Sequence, residues 1–468
     1  MPSGSSLYIV GTGPGCRELR TAAAEEAIRS SEFVVGYGPY LELIHDLLPG
    51  KEVVSSGMGG EVGRARTAID LLQSGSVALV SSGDPNVYGM AGLALELAPS
   101  PSQVRVVPGV TAFTAAACRA GIAFRRGVAV VSLSDLLTPW QRIEARLRAA
   151  ASIGVPVALY NPRSSKRSWQ LQRALEILGD RDLLIARNIS RGGEELLWSA
   201  TRSLIEGDAL LERVDMNSLV IVSGEGLFCG RASGEAYVNI VGIGPGCRGH
   251  LTHEALEILQ RSERVYGARR YLKQTEGLSP GKPVVHEGSC HERMAASLRD
   301  AASMAAEGRT TSILTGGDPS IFSSWWRSMA EEHMKVPVHI CPGVSAFSSV
   351  AARAGAPLVN DFALLCRAED EGSVRDLSCA GFGVVVYNVG GHEIQAILEE
   401  VDPERPCALG RDVARDDERM VVMRADDLSE ARQNGLRYTL IIASENSYIK
   451  DGMIITKRGY DSKYCYQG

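Results

Sequence analysis

A chain of 468 residues exceeds one ordinary domain and sets a prior of about three compact units or two large ones. With 45% hydrophobic and 22% charged residues the composition is that of a globular protein, which excludes a disordered or fibrous chain. The balance of 49 Lys plus Arg against 55 Asp plus Glu gives a net charge of -6 with no dominant basic stripe, which argues against a nucleic-acid partner. Glycine stands out at 50 residues, well above the usual share of about 7%. Such an excess points to close backbone approach.

In chain order, residues 1–6 carry no leader pattern and no stretch reaches about 18 consecutive apolar residues, so the expectation is a soluble, cytoplasmic protein without a membrane partner. A strand is expected over 7–10, ending in the turn Gly11-Thr12-Gly13-Pro14-Gly15, followed by helical spacing over 20–30 and a strand over 33–35. A strand over 77–80 ends at Gly83-Asp84-Pro85, and a third turn reads Pro108-Gly109-Val110-Thr111-Ala112-Phe113. The order then begins again. Residues 240–247 repeat IVG.GPGC at an offset of 231, while Gly317-Asp318-Pro319 and Pro342-Gly343-Val344-Ser345-Ala346-Phe347 recur at 234. Tyr160-Asn161 matches Tyr387-Asn388, and the apolar run 219–223 matches 440–444, at offsets that drift to 227 and 221 as loop deletions would cause. The expected organisation is therefore a domain over 1–224, a linker over 225–235 and a second domain over 236–468. Strands alternating with helices imply an α/β fold with wound, mainly parallel sheets and ligands at the strand carboxyl ends.

The glycine turns fail the dinucleotide fingerprint. Its third glycine is replaced by Cys16 and Cys247, Gly36 stands where an acid should close the second strand, and no Gly-Lys-Ser/Thr cradle is present. Three loops recurring at strand ends instead suit a phosphate-free nucleoside, with Asp84 or Asp318 offering a carboxylate to hydroxyls or a cation. The ten cysteines are scattered without a Cys-x-x-Cys pair and are expected to be reduced. His286, Cys290 and His291 fit no strong ligand spacing, so no metal is expected, and Trp325-Trp326 reads as core or interface.

The three loops resemble those of the tetrapyrrole (corrin and porphyrin) methyltransferases. In the first copy Ser81 to Met90, the run Ser132-Leu133-Ser134-Asp135-Leu136-Leu137-Thr138-Pro139-Trp140 and Tyr160-Asn161-Pro162-Arg163-Ser164 resemble the precorrin-3B or cobalt-factor III C-17 branch. The tail from Asp451 to Tyr460 resembles the end of the same branch. The resemblance implies two α/β lobes per copy, S-adenosylmethionine in a trough between them, a tetrapyrrole substrate and homodimers, which a fused chain would replace by an intramolecular pseudo-dimer, with further homo-oligomerisation left open.

Cofactor contacts implied by the resemblance fall on Pro14, Ser82, Gly83, Asp84, Val87, Thr111, Ala112 and Asn161, and in the second copy on Pro245, Gly316, Gly317, Asp318, Ile321, Ser345, Ala346 and Asn388. The substrate-side motifs survive only in the first copy, since they are replaced near 364–374 and at Asn388-Val389-Gly390-Gly391-His392. Ser132, Asp135 and Thr138 are candidates for acid-base help, with Asp135 equally readable as a helix cap. Arg163 is the candidate for the substrate carboxylates, ahead of Arg125, Arg126, Lys166 and Arg167. The implied activity is C-17 methylation with ring contraction in cobalamin biosynthesis. Alternatives are a bifunctional enzyme, in which the second copy methylates another position, and a non-catalytic tetrapyrrole scaffold.

Overall fold

The computed structural model describes residues 5–164, 167–225, 227–229, 237–331, 336–366, 372–427 and 437–464. Lys166 and most of the expected linker lie outside the described residues. Each copy opens with a wholly parallel five-stranded sheet. In the first the order is Glu52–Ser56, Phe33–Tyr37, Val77–Ser81, Leu7–Gly11, Val104–Val107. In the second it is Lys282–Val284, Arg264–Tyr266, Thr311–Thr315, Val238–Gly242, Val338–Cys341. The central strands are apolar on both faces because helices cover both sides, as a parallel sheet requires. The helix expected over 20–30 is Ala22–Arg29, capped by Thr21, whose Oγ1 accepts from the Ala24 amide at 3.2 Å. Thr252 caps His253–Arg261 in the same way, and the two caps meet: the Ala22 amide donates to Leu251 O and the His253 amide to Arg20 O, both at 3.2 Å.

The second lobes do not form separate sheets. Their strands join in one mixed ten-stranded sheet, ordered Glu195–Ala200, Asp182–Arg187, Ser218–Val222, Val157–Tyr160, Gly127–Ser132, then Phe362–Cys366, Gly383–Val389, Tyr438–Ile442, Pro406–Arg411, Arg419–Arg424. The strand order of one half mirrors the other. At the join Gly127–Ser132 runs antiparallel to Phe362–Cys366, with Val130 opposite Phe362. Both strands are buried, and each would be an unpaired apolar edge in an isolated copy. Beneath the join Phe113 stacks on Phe347 at 6.4 Å and Phe347 packs on Phe362 at 5.5 Å, in a core shared by both copies.

Two exchanges lock the halves further. Cys118 and Ala123 of the first copy enter the core under the second copy's parallel sheet, beside Trp325. Trp325 is fully buried and its Nε1 donates to Pro319 O at 2.8 Å, while Trp326 lies under the Arg125 guanidinium at 3.9 Å. In the opposite direction the chain's last hairpin, Ser447–Lys450 and Met453–Thr456, pairs with Gly355–Ala356 and packs on Ala91–Leu97 of the first copy. Gly92 is required there, because a Cβ would sit 2.9 Å from Val359 Cγ2 and 3.1 Å from Thr456 O. No helix of the described residues is long and apolar enough to cross a membrane.

Candidate active site

The glycines of the three turns interlock. A Cβ on Gly109 would lie 2.3 Å from Gly83 O and 2.8 Å from Gly11 O, so these positions admit only glycine. Gly13 and Gly83, both at positive φ (77° and 69°), form a small antiparallel bridge in which each amide donates to the other's carbonyl, at 3.2 and 2.7 Å. Gly244 and Gly317 repeat it.

Asp84 and Asp318 do not face a ligand. Asp84 is 1% exposed; its Oδ1 accepts from the Asn86 amide at 2.8 Å and its Oδ2 from the Gly109 amide at 3.1 Å. Asp318 accepts from the Ser320 amide at 2.9 Å and the Gly343 amide at 3.1 Å. The expectation that these carboxylates reach hydroxyls or a cation is therefore corrected: each ties the second turn to the third. Any contact with a ligand at these positions would come from the backbone. Burial pushes the Asp84 carboxyl up to about 7 and that of Asp318 upward, against the loop amides that favour the charged form. An unfolded Asp titrates near 3.9. The folded state thus holds the proton more tightly, and the stability it contributes is present below about pH 4 and lost as pH rises through about 7. Urea melts between pH 4 and 7 should show stability falling across that window, and a flatter profile for Asp84→Asn.

The strand Val157–Tyr160 ends against the third turn. Tyr160 accepts the Phe113 amide proton at 3.1 Å and Tyr387 that of Phe347 at 2.9 Å, holding the first turns of the helices Ala112–Ala120 and Ala346–Ala354. Burial raises both phenols. Asn161 and Asn388 take the left-handed conformation, at φ 50° and 63°, which asparagine tolerates. Thr111 caps Ala112–Ala120, accepting from the Thr114 amide at 3.4 Å, and Val87 packs with Val110 and Phe113. Ala112 is half-buried at the first helical position.

Sequence reasoning missed Arg191. Its Nε donates to Pro14 O at 2.8 Å and its Nη2 to Ser82 Oγ at 3.0 Å, so it clasps the first two turns from the loop after Asp182–Arg187. Arg415 repeats the bond to Pro245 O at 3.0 Å. The loops share strained residues, with Asn188 and Ser190 at φ 48° and 60°, Asp412 and Ala414 at 49° and 64°. A signal was present: Asn188 to Arg191 and Asp412 to Arg415 are related by an offset of 224, between the neighbouring offsets.

On the substrate side Ser132 is buried, and its Oγ accepts from Asn161 Nδ2 at 3.0 Å and the Ser134 amide at 3.3 Å. Asp135 is exposed in the following turn and accepts from Gln170 Nε2 at 3.0 Å; the helix starts at Trp140 after Pro139, so Asp135 is not its cap. Thr138 is half-buried in the same turn. Arg163 departs from expectation. It donates to Leu211 O at 2.7 Å and to Glu212 Oε1 at 3.2 Å, so its guanidinium is already neutralised. Arg126 pairs with Glu225 at 3.1 Å. Arg167 lies at the site, donating to Asn161 O at 3.1 Å and Ser134 Oγ at 3.3 Å.

In the second copy Pro245, Gly316, Gly317, Ile321, Ala346 and Asn388 line a cleft of about 640 Å³, with Asp318 and Ser345 buried. Tyr271 takes the room that the Ser82 side chain has in the first copy, since a Cβ on Gly316 would lie 2.7 Å from its Oη. Cys366 stands at the register of Ser132, opposite Tyr387 as Ser132 is opposite Tyr160. Residues 367–371 of the replaced motif lie outside the described residues. His286, Cys290 and His291 disperse to Asp300, Ser324 and Glu331, and among the described residues no three His, Cys, Asp or Glu could hold a metal ion.

Comparisons with known proteins agree with the repeat. A "Probable cobalt-factor III C(17)-methyltransferase" of Salmonella typhimurium is 41% identical over 225 residues, covering 46% of this chain and 91% of its own. A "Precorrin-3B C(17)-methyltransferase" of Sinorhizobium sp is 37% identical over 229 residues, 46% and 88% of the two chains. "Cobalamin biosynthesis protein CbiHC" of Archaeoglobus fulgidus is 38% identical over 279 residues, 57% of this chain, and the match spans 61% of that relative's length. The family described as "Tetrapyrrole (Corrin/Porphyrin) Methylases" matches twice, over residues 6–204 and 237–429, and the chain belongs to it.

Proposed function

We propose that the first copy methylates C-17 of precorrin-3B or cobalt-factor III from S-adenosylmethionine, with ring contraction, in cobalamin biosynthesis. The observation that carries this reading is Ser132 bound to Asn161 in the copy that keeps the substrate-side motifs and the three interlocked glycine turns. The donor set fits a nucleoside sulfonium: backbone amides and carbonyls, the apolar Val87 and Ala112, and an open face at Gly83, where a Cβ would meet only Val110 O at 3.9 Å. When bound, S-adenosylmethionine supplies an electrophilic methyl group. Pro14, Ser82, Gly83, Val87, Thr111, Ala112 and Asn161 would hold and orient it, while the half-buried rings of Tyr88 and Tyr160 would help to exclude water from the approach.

Ser132 would serve a proton shift during ring contraction, and Asp135 and Thr138 remain candidates through movement of their turn. Arg167 replaces Arg163 as the cation for a substrate carboxylate. Domains over 1–224 and 236–468, joined by 225–235, would form a pseudo-dimer in which the second copy serves as built-in partner.

Incubation with S-adenosylmethionine and either macrocycle, followed by mass spectrometry, should show one added methyl group; binding without methylation would favour the scaffold reading. Arg167→Ala should raise KM for the macrocycle by about 10- to 100-fold with KM for the methyl donor unchanged, the range expected for a lost charge-assisted hydrogen bond.

A second reading is favoured by the 640 Å³ cleft, which has the volume of a small-molecule site. The second copy would then also bind S-adenosylmethionine through Pro245, Gly316, Gly317, Ile321, Ala346 and Asn388. Calorimetry with S-adenosylhomocysteine distinguishes the cases: two equivalents support a second site, one equivalent eliminates it.

A further inference from the structure

We infer that the second copy completes the first copy's substrate site, and that Arg458, carried back by the C-terminal hairpin, binds a carboxylate of the macrocycle. The inference rests on the proposed tetrapyrrole substrate. Its geometry begins at two adjacent residues of the second copy. Asn360 donates from Nδ2 to Lys457 O at 3.2 Å, and the Lys457 amide donates to Asn446 O at 3.2 Å, so the segment leading into Arg458 is held at both faces. Asp361, next in sequence, accepts from the Ser132 amide at 2.9 Å and from the Tyr88 hydroxyl at 2.7 Å. One dipeptide thus ties the returning tail to the serine and tyrosine of the first copy's site.

The Arg458 guanidinium carbon lies 5.7 Å from the centre of the Tyr88 ring, which in turn packs 5.1 Å from the ring of Tyr160. Arg458 is half-buried and, among the described residues, has no carboxylate within ion-pair distance. The nearest acid on its own segment, Asp461, pairs with Lys457 at 3.2 Å. This contrasts with Arg163 and Arg126, whose charge is already met by Glu212 and Glu225. A cation left unneutralised beside two half-buried tyrosines is placed to meet an anionic group, and a polycarboxylate macrocycle entering a chain of net charge -6 needs such local cations. Arg458 with Arg167 would give the site one cation from each copy.

The experiment uses the full chain, with uroporphyrin III as a stable polycarboxylate probe followed by absorbance titration, and S-adenosylhomocysteine followed by calorimetry. Arg458→Ala should weaken uroporphyrin binding by about tenfold or more, the scale of a charge-assisted contact. Arg458→Lys should recover part of the loss, the wild-type affinity should fall more steeply with salt than the Arg458→Ala affinity, and S-adenosylhomocysteine binding should be unchanged in all three proteins. Unchanged uroporphyrin affinity in Arg458→Ala overturns the inference while leaving the substrate reading intact. Parallel loss of both ligands with a lower melting temperature overturns it in favour of a packing role. Failure of the wild-type chain to bind any tetrapyrrole overturns the substrate reading itself, and the inference with it.

Discussion

Gly109→Ala is expected to abolish methyl transfer and weaken S-adenosylhomocysteine binding by about 100-fold or more, the equivalent of roughly 3 kcal/mol at the upper end of overpacking costs. The added Cβ would stand 2.3 Å from Gly83 O and 2.8 Å from Gly11 O. Both obstacles are backbone, and neither can retreat. Gly83 is bridged to Gly13 and adjoins the buried Asp84, whose Oδ2 holds the Gly109 amide itself. The three turns would have to separate, and the proposed cofactor contacts lie on them. Gly63→Ala is the control: Gly63 is exposed in the helix Glu61–Leu71 with nothing within 4 Å of a new Cβ, so alanine there should stabilise by about 0.5–1 kcal/mol. Cofactor affinity within twofold of wild type in Gly109→Ala would refute the interlocked-turn account.

Asp361→Ala should be the most damaging single change at the junction of the copies, costing about 3–5 kcal/mol, the usual penalty for stripping one partner from a buried ion pair. Its Oδ2 accepts from Arg146 Nη1 at 2.6 Å, and the Arg146 side chain is 3% exposed. Without Asp361 that guanidinium keeps one carboxylate, Glu445 at 3.0 Å and partly open to solvent, and the carbonyls of Ala380 and Gly381 at 3.4 and 3.3 Å. The same substitution leaves the Ser132 amide without its acceptor and the Tyr88 hydroxyl with only Val130 O, at 3.1 Å. Activity should therefore fall further than the loss of folded protein accounts for. Paired replacement, Asp361→Leu with Arg146→Met, separates the effects. Chemical denaturation should show much of the stability restored, because no charge is left buried. Turnover should stay low, because the Ser132 amide still lacks its acceptor. Full recovery of turnover in the double variant would remove Asp361 from any role in positioning Ser132.

Much of the fold was legible in local sequence. The parallel sheets were readable from inner strands that are short apolar runs leading into Gly or Pro turns, and the helix after the first turn because Thr21 and Thr252 cap apolar periodic segments, whereas the exposed edge strands Glu52–Ser56 and Lys282–Val284 carry no such pattern. The turns themselves were readable for a stricter reason. Positions such as Gly83 and Gly317 need positive φ, and Gly109 and Gly343 lie against backbone, so the residue type reports the geometry.

Side-chain direction was a different matter. Asp84 next to Gly83 looked available to a ligand, yet its carboxylate turns inward to the amide of Gly109, 25 residues later. Arg163 sits in the expected motif, but Glu212, 49 residues away, had no reason to be considered its partner. Arg191 escaped notice because its partners, Pro14 O and Ser82 Oγ, are 177 and 109 residues distant.

The sequence alone determined the duplication, the parallel first lobes and the positions of the glycine turns, because these follow from backbone constraints acting over a few residues. Only the tertiary structure decided that the second lobes merge into one ten-stranded sheet, that Asp361 reaches Ser132 across 229 residues and that the final hairpin returns to the first copy. Those outcomes depend on which buried edges and charges find partners after the chain has folded back on itself, and no local residue pattern encodes that choice.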